Sequence, residues 1–407
     1  MSTRRDFLKT ALAGSSLFAW NGVAPAFLRK TAQAADQKGT KDNLLVVVQL
    51  TGGNDGLNTV IPFKDPLYAK YRPTLKLATK DLKKLNDEVA LHPALSGFAE
   101  LYQQSNLCVV QGVGYPNPDQ SHFRSMDIWQ AGSTAQHLPD GWLGRAMARK
   151  NTLQGFHVGM DNENAPLAFD GAPAKVPSLA RLEDFQIRTA ASSGTDRLQQ
   201  RTVIEEAARG KQGADLLDFV RQTADNTYAS GKRLREIAGS YQPKATYPGT
   251  GLANRLKLVA QLIDANLGGR IFYVTIDGFD THANQAETHQ NLLQEVSGAM
   301  TAFFKDLSAR GHKDRLLMMT FSEFGRRAKE NGSKGTDHGS AAPLFLLGGK
   351  VKPGVVGTHP SLEKIPDGNL VHHTDFRQVY AAILDQWLGV SSKEVLGQTY
   401  KSLPVLA

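Results

Sequence analysis

Apolar residues recur along this chain in two rhythms. Residues 43–50 form a near-continuous apolar run, Leu44, Leu45, Val46, Val47, Val48 and Leu50, broken by Gln49. Such a run marks a strand buried on both faces. Similar runs occupy 107–113, 270–276, 316–321 and 344–347. Between them the period lengthens. Residues 93–105 set Leu95, Phe98, Leu101 and Tyr102 on one face, and 253–267 do the same with Leu256, Val259, Ala260 and Ile263. A third helical pattern covers 285–310 and stops before Gly311, and a last one covers 376–388 behind a cap at Thr374 or Asp375. Buried strands alternating with helices predict an α/β fold, a three-layer α/β/α sandwich around a mostly parallel sheet. Residues 196–243 break the alternation. They are charged, helical in pattern and free of strand signals, and read as a helical insertion or as ordinary surface helices of the same domain.

The first 34 residues carry a different signal. Thr3-Arg4-Arg5-Asp6-Phe7-Leu8-Lys9 resembles the twin-arginine export consensus, followed by a mildly apolar stretch and a small-x-small cleavage site at Ala32-Gln33-Ala34. The stretch holds Gly14, Ser15, Ser16, Asn21, Gly22 and Pro25, a poor composition for a spanning helix. The expected organisation is therefore a signal peptide at 1–34, a polar linker at 35–42 and one large domain at 43–407. The protein would cross the membrane already folded through the twin-arginine translocase, keep no stable membrane span after cleavage, and work in the periplasm or outside the cell. The competing reading is an uncleaved anchor.

Composition narrows the class. With 407 residues, 41% hydrophobic and 21% charged, the chain is globular and long enough for a substantial core. The formal charge of +8 has half its excess ahead of residue 35, where Arg4, Arg5, Lys9, Arg29 and Lys30 face only Asp6. What remains is too weak and too dispersed for a nucleic-acid partner. The single cysteine, Cys108, lies in an apolar strand and reads as core. It excludes an internal disulfide and a cluster ligated by cysteines of one chain, and no Rossmann-type glycine motif supports a redox enzyme.

Candidate chemistry sits where strands of a parallel sheet end, which is where ligands bind in such sheets. After the first strand comes a glycine-rich turn carrying Asp55; a plain turn with side-chain capping would look the same. After the second, two prolines stiffen a loop leading to Ser121 and His122. Ser121 stands at a helix start, a setting that stabilises an alkoxide or serves as an ordinary cap; His122 beside it is suited to orienting a phosphate or sulfate oxygen or to binding metal. Asp277, Asp280 and His282 follow the strand at 270–276 and form a compact set of oxygen and nitrogen donors. Glu323 and Arg326 follow 316–321. The planar fork of Arg326 suits a tetrahedral oxyanion, while a structural Glu–Arg pair is the alternative. Asp337 and His338 sit between Gly335 and Gly339. His289 reads as surface, and His372 and His373 as weaker candidates. A rim this rich in carboxylates and imidazoles calls for a divalent cation, with zinc, manganese, magnesium and calcium all compatible and one or two ions expected.

These motifs together resemble a known family: GGNDGLN at 52–58, SHF at 121–123, IDGFDTH at 276–282, SEFGR at 322–326, GTDHGSAAPLFLLGG at 335–349 and DFRQVYAAILDQWLG at 375–389. The chain resembles the exported family called domain of unknown function 1501, which is grouped with the alkaline phosphatase and sulfatase superfamily. The resemblance implies an alkaline-phosphatase-like sandwich and a metal-assisted hydrolase of phosphate or sulfate esters, acting on a small-molecule or polymer substrate. It implies Asp55 as a metal-ligating carboxylate, Ser121 as nucleophile, Asp280 and His282 as ligands with Asp277 as a further candidate, and His338 as the late histidine that joins them. Glu323 stands where the superfamily has an Asp-His pair. The next residue here is Phe324, so the second metal's histidine is missing. DQSHFRS around Ser121 lacks the sulfatase motif, which favours phosphoesters. A non-catalytic exported binding or assembly protein that keeps the fold and one metal is the alternative.

Overall fold

The computed structural model describes residues 42–160, 163–181 and 240–407. The expected export segment at 1–34, the linker apart from Asp42, and the helical stretch near 196–243 apart from its last residues lie outside the described residues. Two compact units divide the chain. Of the described residues, one comprises 42–160, 163–178, Pro243–Ala260 and Gly269–Ala407; the other comprises 179–181, 240–242 and Gln261–Gly268. The helix at Gly251–Asp264 closes with Ala265 N–H donating to the Gln261 carbonyl (2.9 Å), and Asn266 then turns left-handed at φ 49°. That turn ends the helix three residues before the sequence pattern runs out.

The sheet and the candidate site belong to the first unit. Strands are β1 (Leu44–Leu50), β2 (Leu107–Gly114), β3 (Gly155–Val158), β4 (Ile271–Ile276), β5 (Leu316–Phe321), β6 (Ala342–Gly348), β7 (Gly354–Val356) and the short β8 (Thr374–Asp375). Their spatial order is β7-β2-β6-β5-β1-β4-β3, with β8 pairing β2. β1 runs parallel to both β4 and β5, and among these eight strands β6 alone is antiparallel to its neighbours, β2 and β5. The cause is the connection. Parallel neighbours need a crossover, usually a helix, whereas 322–341 returns without one and pairs with itself at Arg326 and His338. This hairpin brings Glu323 and Arg326, leaving β5, against Asp337 and His338, entering β6.

All seven residues of β1 are buried, as a central strand with both faces covered requires. Leu45 and Val47 join one core cluster with Trp129 of α3 (His122–Ala131), Trp142 of α4 (Trp142–Arg149) and Tyr380 of α6 (Phe376–Ala382). On the other face, Phe98 of α2 (Ser96–Gln103) meets Phe345 edge-on at 5.1 Å between ring centroids. A Cβ on Gly97 would come within 2.4 Å of Thr301 Oγ1 of α5 (Gln285–Ala309), so α2 and α5 pack at glycine distance. The result is the three-layer sandwich with a mostly parallel sheet. α6 opens with a capping box between Asp375 and Gln378, and its pattern continues through a π turn at Ile383–Leu388 to a left-handed Gly389. Cys108 is buried in β2, and burial pushes its thiol up to about 12. Among the described residues no helix is long and apolar enough to cross a membrane.

Candidate metal centre

At the carboxyl ends of β1, β4 and β5, three loops are drawn together by contacts that only glycine permits. Gly52, at φ 117°, leaves a Cβ position 2.3 Å from the Asp280 backbone nitrogen. At Gly53, φ 79°, the Cβ position is 2.5 Å from the Phe324 ring. These glycines therefore admit a neighbouring loop and an aromatic ring.

Arg326 ties the loops together. Its side chain is buried, Nε donates to the Gly53 carbonyl (2.6 Å), and one terminal nitrogen to that of Thr336 (2.8 Å). The other donates to the Gly52 and Phe279 carbonyls and to Asp280 Oδ1 (2.7 Å). Every nitrogen of the fork is thus engaged within the protein. The expectation that Arg326 grips a substrate oxyanion is corrected: it positions Asp280 and the loops around it.

Asp55 also takes a different place. It is fully buried, held bidentately by Arg72, which follows α1 (Pro66–Tyr71), at 2.5 and 2.9 Å, and it accepts from Gln285 at 2.5 Å. Burial raises its pKa, but the Arg72 charge and hydrogen bonds outweigh that and bring it down to about 2. Its charge is answered by a guanidinium, and Asp55 does not join His122, Asp280 and His338, whose ligand atoms converge, so the expectation that it ligates metal is corrected in this arrangement. His289, read from sequence as surface, is buried beside it, with Nε2 at 2.9 Å from Asn54 Oδ1. Burial depresses its pKa to about 4.

Three imidazoles do converge, around Asp280. His122, the first residue of α3, approaches Asp280 Oδ2 with Nε2 at 3.5 Å. His282 and His338 bring theirs to 3.0 and 3.2 Å from Oδ1, and these two nitrogens are 2.9 Å apart. The opposite ring nitrogens each have an acceptor. His122 Nδ1 donates to Glu323 Oε1 (2.8 Å), His338 Nδ1 to the Gln120 carbonyl (2.8 Å), and His282 Nδ1 lies 3.4 Å from Asp337 Oδ1. Acceptors on Nδ1 assign the protons there, which leaves lone pairs on all three Nε2 atoms.

Lone pairs crowding a carboxylate repel it unless a cation or added protons intervene. His122 Nε2 is moreover buried without a hydrogen-bond partner. Ligand atoms of His122, Asp280 and His338 all lie within 4.8 Å of one another. Nδ1 anchored and Nε2 free is the arrangement of metal-ligating histidines, so these residues fit a divalent ion. Burial depresses the pKa of His338, which favours its neutral ring, whereas the hydrogen bond to Glu323 raises that of His122. Burial tends to raise the Asp280 carboxyl, but the hydrogen bond and positive charge of Arg326 lead the effects that lower it.

The remaining candidates fall around this group. Glu323, fully buried, also accepts from the Gly52 N–H (2.8 Å). It holds His122 from behind, and in this geometry it supports a ligand where the sequence had made it one. Asp337, held by Asn331 at 3.0 Å, stands behind His282 in the same way. Asp277 is exposed and lies outside the convergent group. Ser121 is exposed at the N-cap of α3, adjoining His122 in the chain, and its hydroxyl makes no capping hydrogen bond. Phe324 packs at a tilt against His122 and His338, with centroids at 4.9 and 4.6 Å. Sequence reading missed Gln120, Arg72 and Gln285. A backbone carbonyl has no sequence signal, and an arginine 17 residues from its carboxylate follows no periodicity.

Several solved structures are similar to this chain. The C-terminal periplasmic domain of EcEptC from Escherichia coli, in complex with zinc, is 11% identical over 77% of this chain and 74% of its own, with a TM-score of 0.38. PsFucS1 sulfatase from Pseudoalteromonas sp. is 9% identical over 93% and 74%, also at 0.38. Alkaline phosphatase from the Antarctic bacterium TAB5 is 13% identical over 76% and 92%, at 0.31. No curated protein sequence matches the chain. The family described as protein of unknown function (DUF1501) matches residues 42–396, and with most of its length covered the chain belongs to that family.

Proposed function

We propose that this protein is an exported metal-dependent hydrolase of phosphate or sulfate esters, with one divalent ion held by His122, Asp280 and His338. The carrying observation is the convergence of their free Nε2 and carboxylate atoms, with the buried His122 Nε2 lacking any other partner. Imidazole nitrogens with one carboxylate favour zinc or a similar first-row ion over magnesium and calcium, which prefer oxygen ligands. An ion there acts as a Lewis acid that lowers the pKa of a nearby hydroxyl and stabilises negative charge on an ester oxygen.

The chain's own residues carry the other roles. Ser121 Oγ, uncapped at the start of α3, forms the new bond to phosphorus or sulfur as the bond to the leaving oxygen breaks. Its proton goes to solvent, the departing alcohol takes one back, and water later releases the covalent serine ester. The N–H groups at the α3 first turn favour the negative charge that develops beside them. Glu323 and the Gln120 carbonyl keep the His122 and His338 rings in their ligating tautomers. Translocation in the folded state by the twin-arginine translocase, and a site of action in the periplasm or outside, complete the proposal; the Arg4-Arg5 segment supports it.

One observation favours a second reading, a binding or assembly protein without turnover. Arg326 is fully engaged internally, so no arginine of this group is free to grip an oxyanion. Elemental analysis of protein purified without added metal, followed by a screen of phosphate monoesters, diesters and sulfate esters, separates the two. Metal-dependent turnover lost in Ser121→Ala is expected; bound metal with no turnover of any ester class overturns the hydrolase reading.

A further inference from the structure

We propose that His282 is a displaceable fourth ligand, closing the coordination of an ion held by His122, Asp280 and His338 and leaving to admit a substrate oxygen. The inference rests on the metal reading above and adds which ligand gives way. Three imidazoles and a carboxylate complete a tetrahedron, the closed form of structural sites, whereas catalytic sites keep a position open. One protein ligand must therefore yield if the centre is to meet a substrate, and the four are not held equally.

Asp280 is fixed by the buried Arg326 at 2.7 Å. His122 is fixed at 2.8 Å by Glu323, which is itself fully buried and tied to the Gly52 backbone. His338 is fixed at 2.8 Å by a main-chain carbonyl, and its side chain is 23% exposed. His282 differs on both counts. Its side chain is 45% exposed, and its Nδ1 has only the Asp337 carboxylate, 3.4 Å away and itself 49% exposed.

The main chain at His282, by contrast, is pinned. Asn331 donates to the His282 carbonyl (3.0 Å), and a Cβ on Gly335 would lie 2.2 Å from the His282 carbonyl carbon. Displacement is therefore a rotation of the side chain on a fixed backbone. In the exchange Nε2 gives up its place to an ester or phosphate oxygen; no covalent bond or electron changes hands. Asp337 remains as the acceptor from which the ring returns.

The test uses cobalt(II) titrations of the metal-free full-length protein, read by d–d absorption, and calorimetric binding of inorganic phosphate to the cobalt-loaded forms. His282→Ala is expected to keep cobalt affinity within about tenfold of the parent, while His122→Gln and His338→Gln lose more than about 100-fold, beyond what losing a partner that merely supports a ligand ring causes. The His282→Ala band should change in shape and intensity, and phosphate should bind about tenfold tighter because the competent state no longer has to be populated first. Asp337→Ala, which frees the ring without removing it, should shift phosphate affinity in the same direction by less. A His282→Ala spectrum identical to the parent's overturns the proposal, since His282 is then no ligand. Cobalt loss as severe as in His338→Gln overturns it too, since the residue is then integral. Both outcomes leave the three-residue centre standing, whereas a parent protein that takes up no cobalt removes the centre itself. Thermal melts verify folding, and His338→Gln serves as the fixed-ligand reference should His122→Gln fail to fold.

Discussion

Asp55 and Asp280 leave neighbouring strand ends, yet they live in opposite electrostatic worlds. Asp55 is sealed from water with a guanidinium on both oxygens and an amide on one of them. Asp280 is half exposed, keeps one buried arginine, and faces three imidazole nitrogens that carry lone pairs. The same residue type is structural in the first setting and ligand-ready in the second. What separates them is whether the protein supplies the whole countercharge. Arg72, which also serves the Ala328 and Arg327 carbonyls, grips both oxygens of Asp55, while Asp280 has one oxygen on Arg326, shares it with four backbone carbonyls and turns its open side to the histidines.

The hardest blow to this contrast is Arg72→Met. Removing one partner of a buried pair should cost about 3–5 kcal/mol in urea unfolding, since it strands a buried carboxylate. Asp55→Asn combined with Arg72→Met should recover part of that loss. A loss no greater than an exposed pair gives would show that Asp55 is not held as described.

Acidification probes the same sealed layer. His289 is buried and neutral, with its pKa at about 4 against 6.5 when free. Between those values the unfolded chain binds a proton that the native one refuses. The neutral-pH stability should therefore be full above pH 7 and fall as pH drops toward 4, by roughly 3 kcal/mol from this residue. His289→Gln should flatten that part of the curve in urea melts at pH 7.5, 5.5 and 4.5. A slope unchanged by the substitution would place the titration elsewhere.

The smallest effect is expected on the exposed side. Asp277→Ala should leave stability within about 0.5 kcal/mol of the parent, as surface changes away from any network do, and should leave cobalt affinity unchanged. A drop in affinity would draw Asp277 into the centre and widen it beyond the convergent group.

Much of the fold was readable from pattern. The runs at 107–113, 270–276 and 316–321 became β2, β4 and β5 within a residue, because burial on both faces leaves an uninterrupted apolar record. Asp375 announced the α6 cap for an equally local reason. The candidate site was half readable. His282, His338 and Asp280, all singled out from sequence, lie together in the structure, and His122 joins them as a ligand candidate. Asp55, Arg326 and Glu323 sit near the same sheet end but serve it from within, since each found an internal partner that the sequence does not announce. His289 misled because a helix residue's exposure depends on what the next layer brings against it.

Taken alone, the sequence determined the alternation of strands and helices and the kinds of side chain left at each strand's exit, because both are written in spacings of a few residues. The tertiary structure decided which of those side chains meet. Placing β1 between β4 and β5, and folding 322–341 back as a hairpin, brings residues more than 200 apart to hydrogen-bonding distance, as with His122 and Glu323. Whether a carboxylate there meets an arginine or a cluster of bare imidazole nitrogens depends on loop crossings, and no local period encodes those.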